Sequence, residues 1–110
     1  MFDVACVGIL VADAIAKTVD KLPGKGKLDL VDQLELFTGG CAVNSAIAMA
    51  KIGMNTAIIG KIGEDGFGKF IHSVLKEENV NVNGLVVDPK SSTSASVVLV
   101  DSEGERSFLH

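Results

Sequence analysis

The chain has 110 residues, 47% of them hydrophobic, with two prolines, two cysteines and a formal net charge of −4. That length holds one domain around one core, and its ten cationic residues are scattered among fourteen acidic ones, which argues against a nucleic-acid-binding face. No apolar stretch is long enough to span a bilayer, and Cys6 and Cys41 have neither metal-ligand spacing nor companion histidines, so the composition fits a protein of the reducing cytoplasm without zinc or disulfides.

The first apolar run, Val4 to Ala12, begins after Asp3 rather than after a positive segment and is followed by Asp13, so it does not read as a signal peptide. Its β-branched content predicts a first strand over Val4–Ile9, buried on both faces of a parallel sheet. Asp13 then falls just past a buried strand, where open α/β sheets bind ligands. Lys17, Lys21, Lys25 and Lys27 interleave with Asp20 and Asp29 and read as a solvated loop around Pro23. Leu28, Leu30, Leu34 and Leu36 alternate with polar residues, with a break at Val31-Asp32, and predict a half-exposed antiparallel element beside the main sheet.

Ala42 to Ile52 has helical spacing and a stop at Gly53, and its small residues predict close packing. Thr56–Lys61 reads as a second buried strand. Asp65–Glu78 carries Phe67, Phe70, Ile71, Val74 and Leu75 on one helical face. Leu85–Val87 reads as a short third strand. Alternation of strands and helices predicts right-handed crossovers, hence an α/β fold with a partial Rossmann-like parallel sheet and helices on its faces. The serine-rich segment after Pro89 leads into Ala95–Val100, and the turn Asp101–Gly104 predicts a hairpin ending near His110.

The junction Thr38-Gly39-Gly40-Cys41-Ala42-Val43-Asn44 joins a strand-like segment to a helix. Consecutive glycines let backbone approach a ligand, and the first helical turn leaves N–H donors free. Cys41 fills space there or forms a reactive thiol. A second glycine run, Gly63-Glu64-Asp65-Gly66-Phe67-Gly68-Lys69-Phe70, contains most of a P-loop. Phe70 stands where serine or threonine would hold magnesium, which argues against that reading, and no Gly-x-Gly-x-x-Gly follows the first strand.

The spacing Gly39-Gly40-x-Ala42-x-Asn44-x-Ala46, then Gly53 and Gly63, resembles the N-terminal signature of the PfkB (ribokinase-like) carbohydrate kinases. Gly63-x-Asp65-x-x-Gly68 is similar to that family's next block, and Gly8, Asp13 and Gly104-Glu105-Arg106 fall in the family's order. The resemblance covers the whole chain. It implies the N-terminal part of an ATP- and Mg²⁺-dependent kinase that phosphorylates a sugar or nucleoside hydroxyl, with a small β-sheet lid spanning approximately residues 14–38 and 93–110. It assigns acceptor binding to Asp13, Gly39, Gly40 and Asn44, and suggests a homodimer formed through the lid. Ile9, Leu10 and Val11 replace polar residues found in ribokinase-type members, and Cys41 replaces a common lysine, which counts against ribose as acceptor. The family's catalytic aspartate, anion hole and nucleotide site fall beyond residue 110, so the expectation for the isolated chain is no catalysis. The alternative is a non-catalytic sugar-binding or dimerisation module.

Overall fold

In the computed structural model, which describes residues 1–110, seven strands and two helices build two sheets. The first sheet is parallel, in the order β1 (Val4–Val7), β4 (Thr56–Gly63), β5 (Asn81–Asp88). Helix α1 (Cys41–Lys51) precedes β4, and helix α2 (Gly66–Glu77) joins β4 to β5. The second sheet is mixed, in the order β3 (Gln33–Gly39), β2 (Val11–Lys17), β6 (Ser94–Val100), β7 (Arg106–Leu109). Strand β2 runs antiparallel to β3 and parallel to β6.

The core lies between the first sheet and both helices. Cys6, Ile58 and Ile62 from the sheet meet Val43 and Ala46 of α1 and Ile71 and Leu75 of α2 in one cluster. Ile58, Ile71 and Leu75 are fully buried, each contributing about 1.5–3 kcal/mol. Small residues at Ala42 and Ala46 let α1 sit close to the sheet, as the alanine-rich stretch predicts. Ile52 caps α1 at its C-terminus and Gly53 follows at φ 92°, a left-handed turn that glycine adopts without strain. Asp3 aligns the outer strand with its neighbour by accepting from the Asn55 N–H at 2.8 Å.

Four expectations need correction. The first strand, expected over Val4–Ile9, is shorter: β1 ends at Val7, and Val11 already belongs to β2 in the other sheet. Nor is β1 buried on both faces, because both helices pack on the same side of the sheet. Cys6 points into the core, whereas Val7 is 70% and Ile59 46% exposed on the opposite face. Third, β5 spans eight residues, extending well before the Leu85–Val87 core of its pattern. The antiparallel element foreseen over Leu28–Phe37 begins only at Gln33, just after the break at Val31-Asp32.

Three passages connect the sheets: Gly8–Leu10 from β1 to β2, Gly39-Gly40 from β3 to α1, and Pro89–Thr93 from β5 to β6. At the far end of the second sheet, Asp20 holds the β6–β7 turn. Its Oδ1 accepts from the backbone N–H of Ser102 at 2.9 Å and from the Ser102 hydroxyl at 2.8 Å, while Val19 N–H donates to the Val100 carbonyl at 2.9 Å. The Ser102 N–H, followed by its hydroxyl, holds the Asp20 carboxyl below the usual carboxylate range. No helix is long and apolar enough to cross a membrane.

Candidate functional site

Residues of the second sheet converge where β2 and β3 meet α1. Pairing of β2 with β3 sets Val11 opposite Gly39 and Asp13 opposite Phe37, so Asp13 and Gly39 share one face two positions apart. The Asp13 carboxylate leans onto Gly39: a Cβ built there would stand 2.5 Å from Oδ2. Only glycine leaves room for that carboxylate. Asp13 is half-exposed, and no hydrogen bond from the protein engages its side chain, so its oxygens are available to a ligand.

Gly40 is the N-cap of α1, at φ 92° and ψ 147°, and no side chain caps the helix. A Cβ at Gly40 would collide with the Ile9 carbonyl oxygen, so the β1–β2 passage and the helix entrance touch backbone to backbone. The first intrahelical bond runs from Asn44 N–H to the Gly40 carbonyl at 3.0 Å, which leaves the N–H groups of the first turn as donors. Asn44 is exposed on that turn, with a side-chain amide that both donates and accepts. Cys41, at the first helical position, is exposed, whereas Cys6 is buried in the core.

The sequence reading sets Asp13 just past the end of the first strand. It lies within β2 instead, and its rigid setting comes from two flanking strands. The structure brings Asp13 against Gly39, with Gly40 and Asn44 following on the same chain segment.

Cross-strand register shows a longer row than sequence reasoning found. Asp13 pairs with Ser96 on β6, as it does with Phe37 on β3. Beyond Ser96, its Oγ stands 2.8 Å from Nδ1 of His110, which follows β7. Phe37, Asp13, Ser96 and His110 therefore line one face in a single row across the sheet. The next row carries Glu35, Ile15, Val98 and Phe108 on the same face. Period-two alternation in β6 and β7 could place Ser96 and His110 on one face, but only the parallel β2–β6 pairing puts them beside Asp13.

A second polar cluster sits at the start of α2. Asp65 is its N-cap, with Oδ1 accepting from Gly68 N–H at 2.9 Å and from the Thr93 hydroxyl at 2.6 Å, and Oδ2 accepting from Thr93 N–H at 2.9 Å. Buried Thr93 also accepts from Gly63 N–H at 2.8 Å. The Thr93 hydroxyl contributes most to holding the Asp65 carboxyl below its usual range, ahead of the N–H groups of Thr93 and Gly68. This cluster pins the β5–β6 passage to the helix. It also tests the glycine run as a nucleotide cradle. A carboxylate already occupies the anion position at this helix N-terminus, so these residues do not fit a triphosphate. No three His, Cys, Asp or Glu side chains come together as a metal site.

The pattern of the family described as pfkB family carbohydrate kinase matches residues 1–110. The probable fructokinase-6, chloroplastic, of Arabidopsis thaliana is 38% identical over 93 residues, which is 83% of this chain and 24% of that protein. The fructokinase of Klebsiella pneumoniae is 41% identical over 91 residues, 82% of this chain and 28% of its own length. The structure of Arabidopsis thaliana ribokinase complexed with ribose and ATP superposes with a TM-score of 0.84 at 27% identity, covering 96% of this chain and 34% of that one. The chain thus spans about a quarter of the length of these fructokinases.

Proposed function

Since the chain belongs to the pfkB family of carbohydrate kinases, we propose that it forms the acceptor-holding part of an enzyme that moves the γ-phosphoryl group of ATP to a hydroxyl of a sugar or nucleoside. The observation that carries this reading is the Asp13 carboxylate seated against Gly39 at the uncapped N-terminus of α1. Vicinal hydroxyls donate to a carboxylate and accept from N–H groups, and this junction offers both within one turn of chain. Asn44 adds an amide able to serve either way. In this reading the second sheet, with the connections beside it, is the lid over the acceptor, and lids of two subunits pair in a homodimer.

Phosphoryl transfer depends on positioning the acceptor, on magnesium and on stabilising charge at the transferred group. The residues described here serve the first of these. Asp13 holds hydroxyls, Gly39 leaves room for it, and the first turn of α1 fixes ring oxygens. ATP and Mg²⁺ act in the whole enzyme through residues outside this chain, as does the general base. The 110-residue chain by itself is catalytically silent, and the enzyme works in the cytoplasm.

Calorimetry on the 110-residue chain tests the acceptor assignment, with D-fructose first and other sugars and nucleosides following, in the absence of ATP. Binding that disappears in Asp13→Ala, with the fold retained, is the expected result; binding unchanged in that variant overturns the assignment. ATP-dependent phosphorylation by this chain would overturn its silence. A second reading is a non-catalytic sugar-binding or dimerisation module, in which the same Asp13–Gly39 junction holds a sugar without phosphoryl transfer. Phosphorylation of a sugar by the whole parent protein rules that reading out.

A further inference from the structure

We propose that Ser96 and His110 form a second hydrogen-bonding end of the acceptor site and decide which polyhydroxylated sugars fit it. The inference rests on the acceptor assignment of Asp13 and goes beyond it, because it names two residues on strands distant in sequence from the glycine junction.

Two observations carry it. Ser96 is the in-register neighbour of Asp13 on the adjacent strand, on the same face of the sheet. Adjacent strands stand about 4.8 Å apart, so a ring with one hydroxyl on Asp13 has a neighbouring hydroxyl within reach of Ser96. The Ser96 Oγ and His110 Nδ1 are 2.8 Å apart, which orients the hydroxyl and leaves the imidazole Nε2 for another partner. The hydroxyl donates when Nδ1 is unprotonated and accepts when Nδ1 carries the hydrogen.

The rest of that face is mixed: Glu35 lies in register with Ile15, and Lys17, Gln33 and Arg106 sit in the row beyond. Phe37 borders Asp13 on one side, and Ile15, Val98 and Phe108 make up the apolar part of the next row. A polar stripe flanked by aromatic and aliphatic side chains suits a sugar, whose hydroxyls lie at the rim of a ring with apolar C–H faces. Asp13 only accepts, whereas the Ser96–His110 pair both donates and accepts. The pair therefore takes a hydroxyl, or a ring or carbonyl oxygen, that a carboxylate would repel.

NMR of the labelled chain, titrated with D-fructose, D-ribose and D-glucose, reads both ends at once. The expected result is that the Gly39 amide and the His110 ring signals move together with one dissociation constant for at least one sugar. Ser96→Ala should then weaken that sugar about three- to tenfold. One monodeoxy analogue of that sugar should lose the same factor against the unaltered chain and lose nothing further against Ser96→Ala. Movement at Gly39 with His110 silent and affinity unchanged in Ser96→Ala overturns this inference and leaves the acceptor assignment standing. No movement at either end with any of the three sugars overturns both.

Discussion

Gly39 and Asp13 are fitted to each other: a methyl group on Gly39 would stand 2.5 Å from Asp13 Oδ2, well inside contact distance. The glycine is needed for the carboxylate's place rather than for an unusual backbone, since only its neighbour Gly40 has positive φ. Gly39→Ala should therefore displace Asp13 and leave the fold intact. The expected outcome is a loss of sugar affinity of about tenfold or more, equivalent to roughly 1.4 kcal/mol, with an unchanged circular dichroism spectrum. Unaltered affinity in calorimetry would count against the site.

Gly40→Ala acts differently. Its side chain meets the Ile9 carbonyl and its φ of 92° strains any L-residue. A cost of about 1–3 kcal/mol is expected, seen as a melting temperature lower by about 5–15 °C. A thermal melt matching that of the unaltered chain sinks this account of the junction.

The Thr93 hydroxyl ties Gly63 to Asp65, accepting from the Gly63 N–H and donating to Asp65 Oδ1. Thr93→Val keeps the shape but strands Gly63 N–H without its acceptor and removes the closest donor to Asp65. Urea unfolding should show a loss of about 1–3 kcal/mol. Thr93→Ser should recover most of it, and if serine does no better than valine the hydroxyl is not the stabilising group.

Acid should loosen the molecule in a defined direction. Asp65, Asp20 and Asp88 have carboxyls held below the usual range, chiefly by the Thr93 hydroxyl, the Ser102 N–H and the Lys90 N–H respectively. A lowered folded pKa gives stability that is complete above the unfolded value, about 3.9, and is lost as pH falls through the folded value. Melting temperature should drop below about pH 4, and Asp65→Asn should melt lower at neutral pH with a shallower acid slope. An identical slope in that variant removes Asp65 from the explanation.

The uncovered face of the first sheet carries Val7, Ile59 and Val86, with Val86 59% exposed. Apolar surface of this kind, beside unpaired strand edges at β1 and β5, favours self-association of the 110-residue chain. Light scattering should detect species larger than a monomer at high concentration, and Val7→Lys with Ile59→Lys should reduce them. A monodisperse monomer throughout contradicts this expectation.

Much of the fold was legible because helical periodicity is a strong local signal. The apolar face of α2 and the small residues of α1 stand in the sequence as they pack, down to Gly53 at the end of α1 and Asp65 at the start of α2. Strand β2 was not legible: Ala12, Ala14 and Ala16 have weak strand preference, and Val11 continues the apolar run of β1 without a polar break. Burial on both faces was overstated for β1, since a strand's composition does not tell which of its faces is covered. Asn81, Asn83 and Gly84 hid the first half of β5. Of the candidate site, the glycine junction could be read from spacing. The row from Phe37 to His110 could not, because parallel pairing between distant strands leaves no local trace.

That pairing also orders events in time. Asp20 and Ser102 are 82 residues apart, and β2 cannot gain its parallel neighbour until Ser94–Val100 have been made. Strands β1, β4 and β5 with their helices close shorter loops, so they can assemble first at a lower cost in chain entropy. During synthesis β2 and β3 must wait as an antiparallel pair, one edge open, until β6 arrives. The surface that lines up Asp13 with Ser96 thus forms only after the strands of the first sheet have been made.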